Sequence, residues 1–128
     1  MTLSTIALTG MVGMAGALGA LSRYLLGRFI AERAASRIPQ GTLIINITGA
    51  FVIGLLFALA DHKLIASTLQ IILATGFLGG YTTFSTMSWE TSQLARGGAT
   101  RLSILYLGGS MLLGLAAASL GLLMGGWL

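Results

Sequence analysis

Asn46 is a carboxamide set several residues inside an apolar run, and Thr42, Asn46 and Gly49 fall at i, i+4 and i+7, which is one face of a helix. An amide there has two uses. It can bond across to a neighbouring helix, worth about 0.6–2 kcal/mol in a membrane, or it can offer N–H donors along a polar route. The stretch Gly76-Phe77-Leu78-Gly79-Gly80-Tyr81-Thr82-Thr83-Phe84-Ser85-Thr86-Met87 tips the balance toward the route, because it packs glycines and hydroxyls into a charge-free segment. Irregular backbone at membrane depth is tolerated only where it is buried in protein or lines a watery cavity. Broken helices of this kind aim unpaired backbone groups at an ion or substrate. These residues predict a chain that binds or moves a small ion.

Further polar groups are weaker signals taken singly. Tyr106 and Ser110 lie four residues apart and form another polar stripe, but a tyrosine near a helix start is often an interfacial anchor. A serine there can also bond back to its own helix. Arg23 and Glu90 are the charges nearest the membrane interior, where ionisable groups usually face a cavity or a partner. For Glu90, pairing with an arginine and a part in transport are equally open. His62 sits among charges in a turn and reads as solvated. With one histidine, three scattered acids and no nucleophile at plausible spacing from a base, catalysis finds no foothold.

The elements that must position these groups follow from composition. The 128 residues are 55% hydrophobic and 8% charged, where a soluble domain carries roughly a quarter. An integral membrane protein is expected. No cysteine is present, so disulfides and thiolate ligation are excluded. The net charge of +4 sits in short loops and reads as topology information, not as a nucleic-acid surface. Ala17-Leu18-Gly19-Ala20 resembles a signal cleavage site, but no basic n-region precedes it, so the first segment is expected to remain as a helix.

Charge-free stretches at 1–22, 38–60, 64–89 and 102–128 each suffice for a span of about 20 residues. A single four-helix transmembrane domain over 1–128 is expected, with helices near 3–30, 40–60, 64–95 and 101–127 and the third broken in mid-membrane. The linkers are Glu32–Arg37, with Pro39 at the next helix start, the tight Asp61-His62-Lys63, which makes helices two and three antiparallel neighbours, and a glycine turn over 96–101. Gly10, Gly13, Gly16 and Gly19, and the pairs Gly76/Gly80 and Gly121/Gly125, are small-residue faces of the kind that let helix backbones approach in lipid.

Three stretches together carry a resemblance: Gly19-Ala20-Leu21-Ser22-Arg23-Tyr24, Gly41-Thr42-Leu43-Ile44-Ile45-Asn46 and Gly79-Gly80-Tyr81-Thr82-Thr83-Phe84-Ser85-Thr86. In order and spacing the chain resembles the Fluc (CrcB) family of bacterial fluoride channels across all four helices. The resemblance implies an antiparallel, dual-topology homodimer in the bacterial inner membrane, with two fluoride pores and a central structural sodium ion. It implies that Asn46 donates to fluoride with Thr42 nearby, and that the carbonyls of Gly79 and Thr82 hold sodium. It places the phenylalanine box at Phe84 and Met87, with the hydroxyls of Ser85 and Thr86 as further donors. Tyr106 and Ser110 match the polar track of helix four, and Arg23 and Glu90 match vestibule or gating positions. The cell would use such a passive pathway to release fluoride from the cytoplasm.

The chain departs from the family pattern at Met87, where a second phenylalanine is usual, and at Gly114, where the polar track fades. A thioether is polarizable and flexible but lacks an electropositive ring edge. Arg28, Arg33, Arg37, Arg96 and Arg101 share one side of the membrane against Lys63 on the other, a bias that favours both termini outside. Dual topology must overcome that bias, or the chain must pair with an oppositely oriented paralogue. The alternative reading, a small multidrug-type proton-coupled exporter, needs an acid in the first helix, and residues 1–22 contain none.

Overall fold

The structure, a computed structural model, describes residues 2–34 and 36–128; Met1 and Ala35, the latter within the expected linker Glu32–Arg37, lie outside the described residues. Helix α1 spans Leu3–Arg33 and α2 spans Gln40–Asp61. The third segment divides into α3 over 67–81 and α4, Phe84–Arg96, and α5 spans Thr100–Gly126. No strand occurs among the described residues. Helices α1, α2 and α5 are each long and apolar enough to cross a membrane. At 1.5 Å per residue, α1 is about 46 Å long and outruns a hydrocarbon core of about 30 Å. Its basic end, with Arg28 and Arg33, therefore reaches past the apolar layer.

Local chemistry explains the helix ends. Thr2 caps α1 by accepting the Thr5 N–H at 3.2 Å. Pro39 stands immediately before α2, where its missing N–H does no harm. The ends of α2 and α4 close with the same pair of backbone bonds. Lys63 N–H returns to Ala60 O and Leu64 N–H to Leu59 O, while Gly98 N–H returns to Ala95 O and Ala99 N–H to Leu94 O. Both turns need a left-handed residue. Gly98 supplies it without strain at φ 85°, and Lys63 adopts it at φ 57°.

The principal packing partnerships are α1 with α3 and α2 with α5. The tight linker does leave α2 touching α3, but each helix finds its main partner elsewhere in the chain, because the glycine faces decide the close approaches. A Cβ on Gly80 would run into Gly16 O, and one on Gly19 into Phe77 O. On the other seam, a Cβ on Gly54 would strike Ala118 O and one on Gly121 would strike Phe51 O. Gly10 and Gly13 meet nothing within 4 Å, so only the second half of that glycine series packs inside the chain. Within α3, residues Ile71–Leu78 wind as a π-helix, and the Gly79 N–H reaches back five residues to Ala74 O. π-Helical turns often mark functional positions; this one passes into the last helical residues, Gly79–Tyr81, before the helix stops at Thr82 and Thr83.

Candidate functional site

Thr82 (φ −81°, ψ 157°) and Thr83 (φ −149°, ψ 116°) are extended between two helices. This interruption faces α2, and its chemistry is built by three side chains. Asn46 on α2 pairs with the backbone of Thr83 from both ends of its amide. Its Nδ2 donates to Thr83 O at 2.9 Å, and its Oδ1 accepts the Thr83 N–H at 2.9 Å. The pairing fixes the orientation of the amide, since only the oxygen can accept an N–H. Thr83 Oγ1 accepts the Thr86 N–H at 3.1 Å and donates to Thr86 Oγ1 at 3.0 Å, so Thr83 is the N-cap of α4. Thr82 Oγ1 donates back to Leu78 O at 2.9 Å.

Gly49, one helical turn beyond Asn46, permits this approach. A Cβ there would strike the Thr82 methyl and come within 3.4 Å of the Tyr81 ring. Tyr81 turns to the other side of the α2–α3 seam, stacking with Phe77 at 6.0 Å between centroids and lying 3.0 Å from Thr48 Oγ1. It packs and braces, and it is not among the residues lining either cavity described next.

Two concavities meet at Thr83. One is a vestibule of about 730 Å³ whose lining includes Arg23, Arg28, Thr42, Thr83, Thr86 and Glu90. The other is a groove of about 520 Å³ whose lining includes Asn46, Gly79, Thr82, Thr83, Phe84, Met87, Ser110 and Gly114. The sequence-selected residues therefore sort by place. Arg23, Thr42, Thr86 and Glu90 line the vestibule, while Asn46, Gly79, Thr82, Phe84, Met87 and Ser110 line the groove. Ser85 lies exposed beside the break, with its hydroxyl 3.3 Å from Thr83 Oγ1, and lines neither. Tyr106 is 2% exposed and acts through Glu90.

Glu90 takes no arginine partner among the described contacts. Thr42 Oγ1 donates to its Oε1 at 2.6 Å, and Tyr106 OH donates to its Oε2 at 3.2 Å. One carboxylate thus ties α2, α4 and α5 together at the vestibule. Charge-assisted bonds of this sort are stronger than neutral ones. Deeper in the groove, Ser110 is 7% exposed and its hydroxyl has no hydrogen-bond partner among the described residues. Leaving a buried hydroxyl unbonded costs about 1–3 kcal/mol, which a water, an ion or a neighbouring chain would relieve. Phe84, on the groove wall, is 73% exposed, whereas Met87 beside it is buried.

Sequence reasoning gave Thr83 and Gly49 no role of their own. The signal for Thr83 was present: a threonine immediately before a helix and three residues ahead of another hydroxyl is an N-cap pattern. Gly49 was selected only as part of a face, because close approach depends on what lies opposite.

Residues 10–122 match the family described as CrcB-like protein, Camphor Resistance (CrcB). A protein of Acidobacterium capsulatum named fluoride-specific ion channel FluC is 44% identical over 106 residues, covering 82% of this chain and 85% of its own length. The Thermus thermophilus protein of that name is 42% identical over 106 residues, covering 83% and 84%. FluC 1 of Brucella melitensis is 43% identical over 104 residues, covering 79% and 85%. Relatives bearing these names are ion channels and not enzymes. With the family match spanning nearly all of the four helical segments, this chain belongs to the CrcB family of membrane proteins.

Proposed function

We propose that this multi-pass membrane protein is a passive, fluoride-selective channel that releases the anion from the cytoplasm across the bacterial inner membrane. The observation that carries the reading is Ser110, a buried hydroxyl with no partner among the described residues, lining the same groove as Asn46, Phe84 and Met87. Fluoride is small and tightly hydrated, so it enters only where protein donors replace its water. Asn46 spends one Nδ2 hydrogen on Thr83 O and keeps a second to donate. Ser110 offers another hydrogen, and Thr86, whose oxygen accepts from Thr83, has its own to offer at the vestibule. Arg23 supplies attraction at the mouth, where Arg28 is paired with Glu32 at 3.1 Å. Neutral donors inside and cations only at the entrance suit conduction, which needs favourable entry and easy exit.

The working unit is an antiparallel homodimer with a pore on each side. The groove lies open along one side of a single chain, with Phe84 projecting from it, and Gly108, Gly109 and Gly114 meet nothing within 4 Å. Polar backbone facing lipid would go unsatisfied; a second copy would cover it. The interruption after α3 then lies at the membrane midplane.

The residues at the break also fit a structural sodium ion. In an unbroken helix the Gly79 carbonyl accepts from Thr83 N–H and the Thr82 carbonyl from Thr86 N–H. Here those donors go to Asn46 Oδ1 and Thr83 Oγ1. Gly79 O and Thr82 O would hold the cation, which supplies a fixed positive charge between the two breaks.

Asn46→Asp tests the pore reading. Its negative charge lines the proposed anion route, so fluoride conductance in planar bilayers is expected to fall at least about tenfold, or about 1.4 kcal/mol, with the dimer still assembled. Undiminished fluoride current in that variant would contradict the pathway. The proton-coupled exporter finds no support among the relatives, which are named as channels.

A further inference from the structure

We infer that Asn46 and Thr83 are positioning residues that create the helix break, by drawing two backbone donors away from the carbonyls of Gly79 and Thr82. The inference rests on the channel reading for its purpose, but its structural content stands on the hydrogen bonds alone.

A helix passing through 79–87 would be closed by Thr83 N–H on Gly79 O and Thr86 N–H on Thr82 O. Each of these two donors has instead a side-chain acceptor at bonding distance. Asn46 Oδ1 receives the first at 2.9 Å and Thr83 Oγ1 the second at 3.1 Å. The glycines at 79 and 80 weaken the helix without stopping it, since both remain helical. The chain leaves the helix at Thr82 and Thr83, directly after the last helical bond, Thr82 N–H to Leu78 O, and Asn46 engages both the N–H and the carbonyl of Thr83. An amide group presents the same donor and acceptor pair as a peptide unit. Asn46 therefore acts as a one-residue strand alongside Thr83, and its Nδ2 satisfies Thr83 O at the same time. Gly49 brings α2 close enough for this to happen. On this account Asn46 has two duties. One side of its amide stitches the break, and the remaining N–H faces the groove.

Backbone carbon chemical shifts and amide exchange in the labelled, full-length protein in lipid nanodiscs separate this role from that of a pore donor alone. In the wild type, Thr82 and Thr83 are expected to show extended shifts, and the Thr83 and Thr86 amides to exchange slowly. Asn46→Leu is expected to move those shifts toward helix or to speed Thr83 exchange by about tenfold, the change that follows from one lost hydrogen bond. Thr83→Val is expected to do the same at Thr86, and Thr83→Ser to restore the wild-type pattern there. Should Asn46→Leu fail to assemble, Asn46→Asp decides, because its carboxylate still accepts the Thr83 N–H and is expected to keep that amide protected. Extended shifts and full protection in both Asn46→Leu and Thr83→Val would overturn the inference, as would loss of Thr83 protection in Asn46→Asp. Failure of the channel reading looks different: the shifts respond as described while the wild type passes no fluoride.

Discussion

At the scale of single residues, Glu90 is hydrogen-bonded at both carboxylate oxygens, whereas the Ser110 hydroxyl is unbonded among the described residues. Glu90 accepts hydrogen bonds from Thr42 and Tyr106 and joins three helices. Glu90→Gln places an NH₂ against one of those hydroxyl donors and is expected to cost about 1.5–3 kcal/mol, the range for bonds to a charged group. A lowered melting temperature of the purified protein would record it. Among the described residues the Ser110 hydroxyl has no hydrogen-bond partner. Ser110→Ala is therefore expected to leave the melting temperature unchanged or slightly higher, because it removes an unmade bond. The same variant is expected to slow fluoride flux about tenfold, the loss of about 1.4 kcal/mol of barrier lowering. Reduced stability with unchanged flux would assign Ser110 to packing. The isolated polarity of Asn46 and Ser110 was legible in the sequence, since both sit inside apolar runs. The partners of Glu90 were not. Two hydroxyls on helices 48 and 16 residues away leave no local pattern, and charge alone points to arginine instead.

At the scale of helices, glycine position decides which pairs meet. Gly80 is pressed against Gly16 O, whereas Gly13 meets nothing within 4 Å. Gly80→Ala is expected to destabilise the chain by about 1–3 kcal/mol through overpacking against rigid backbone, and Gly13→Ala to be tolerated. Thermal denaturation of the two variants checks this, and equal stability would refute the close packing of α1 on α3. The existence and apolar character of the helices could be read directly from charge-free runs. Their pairing could not, because Gly10 and Gly13 look the same in sequence as Gly16 and Gly19, and only the facing helix distinguishes them. The stop after Tyr81 was foreshadowed by its glycines and threonines. Its exact place depends on Asn46, 37 residues earlier in the chain.

At the scale of the whole molecule, the proposed pathway would need a second chain to close it. Its groove is open, Phe84 stands out from the wall, and α1 and α5 carry long exposed apolar faces that suit lipid or a second copy. The arginines of the first and third loops bias the chain toward one orientation, opposed mainly by Lys63. A dual-topology homodimer predicts that single cysteines placed in the loop at Lys63 are labelled from outside intact cells in about half of the molecules. Labelling of all or none would require a partner of opposite orientation.

The central claim is that this chain conducts fluoride passively and selectively. Fluoride efflux from liposomes containing the purified protein, followed with a fluoride electrode and repeated with chloride, tests it most directly. Rapid fluoride efflux down its gradient is expected, with no proton gradient required and no matching chloride efflux. Folded dimers that retain fluoride, or that release chloride equally well, would contradict it.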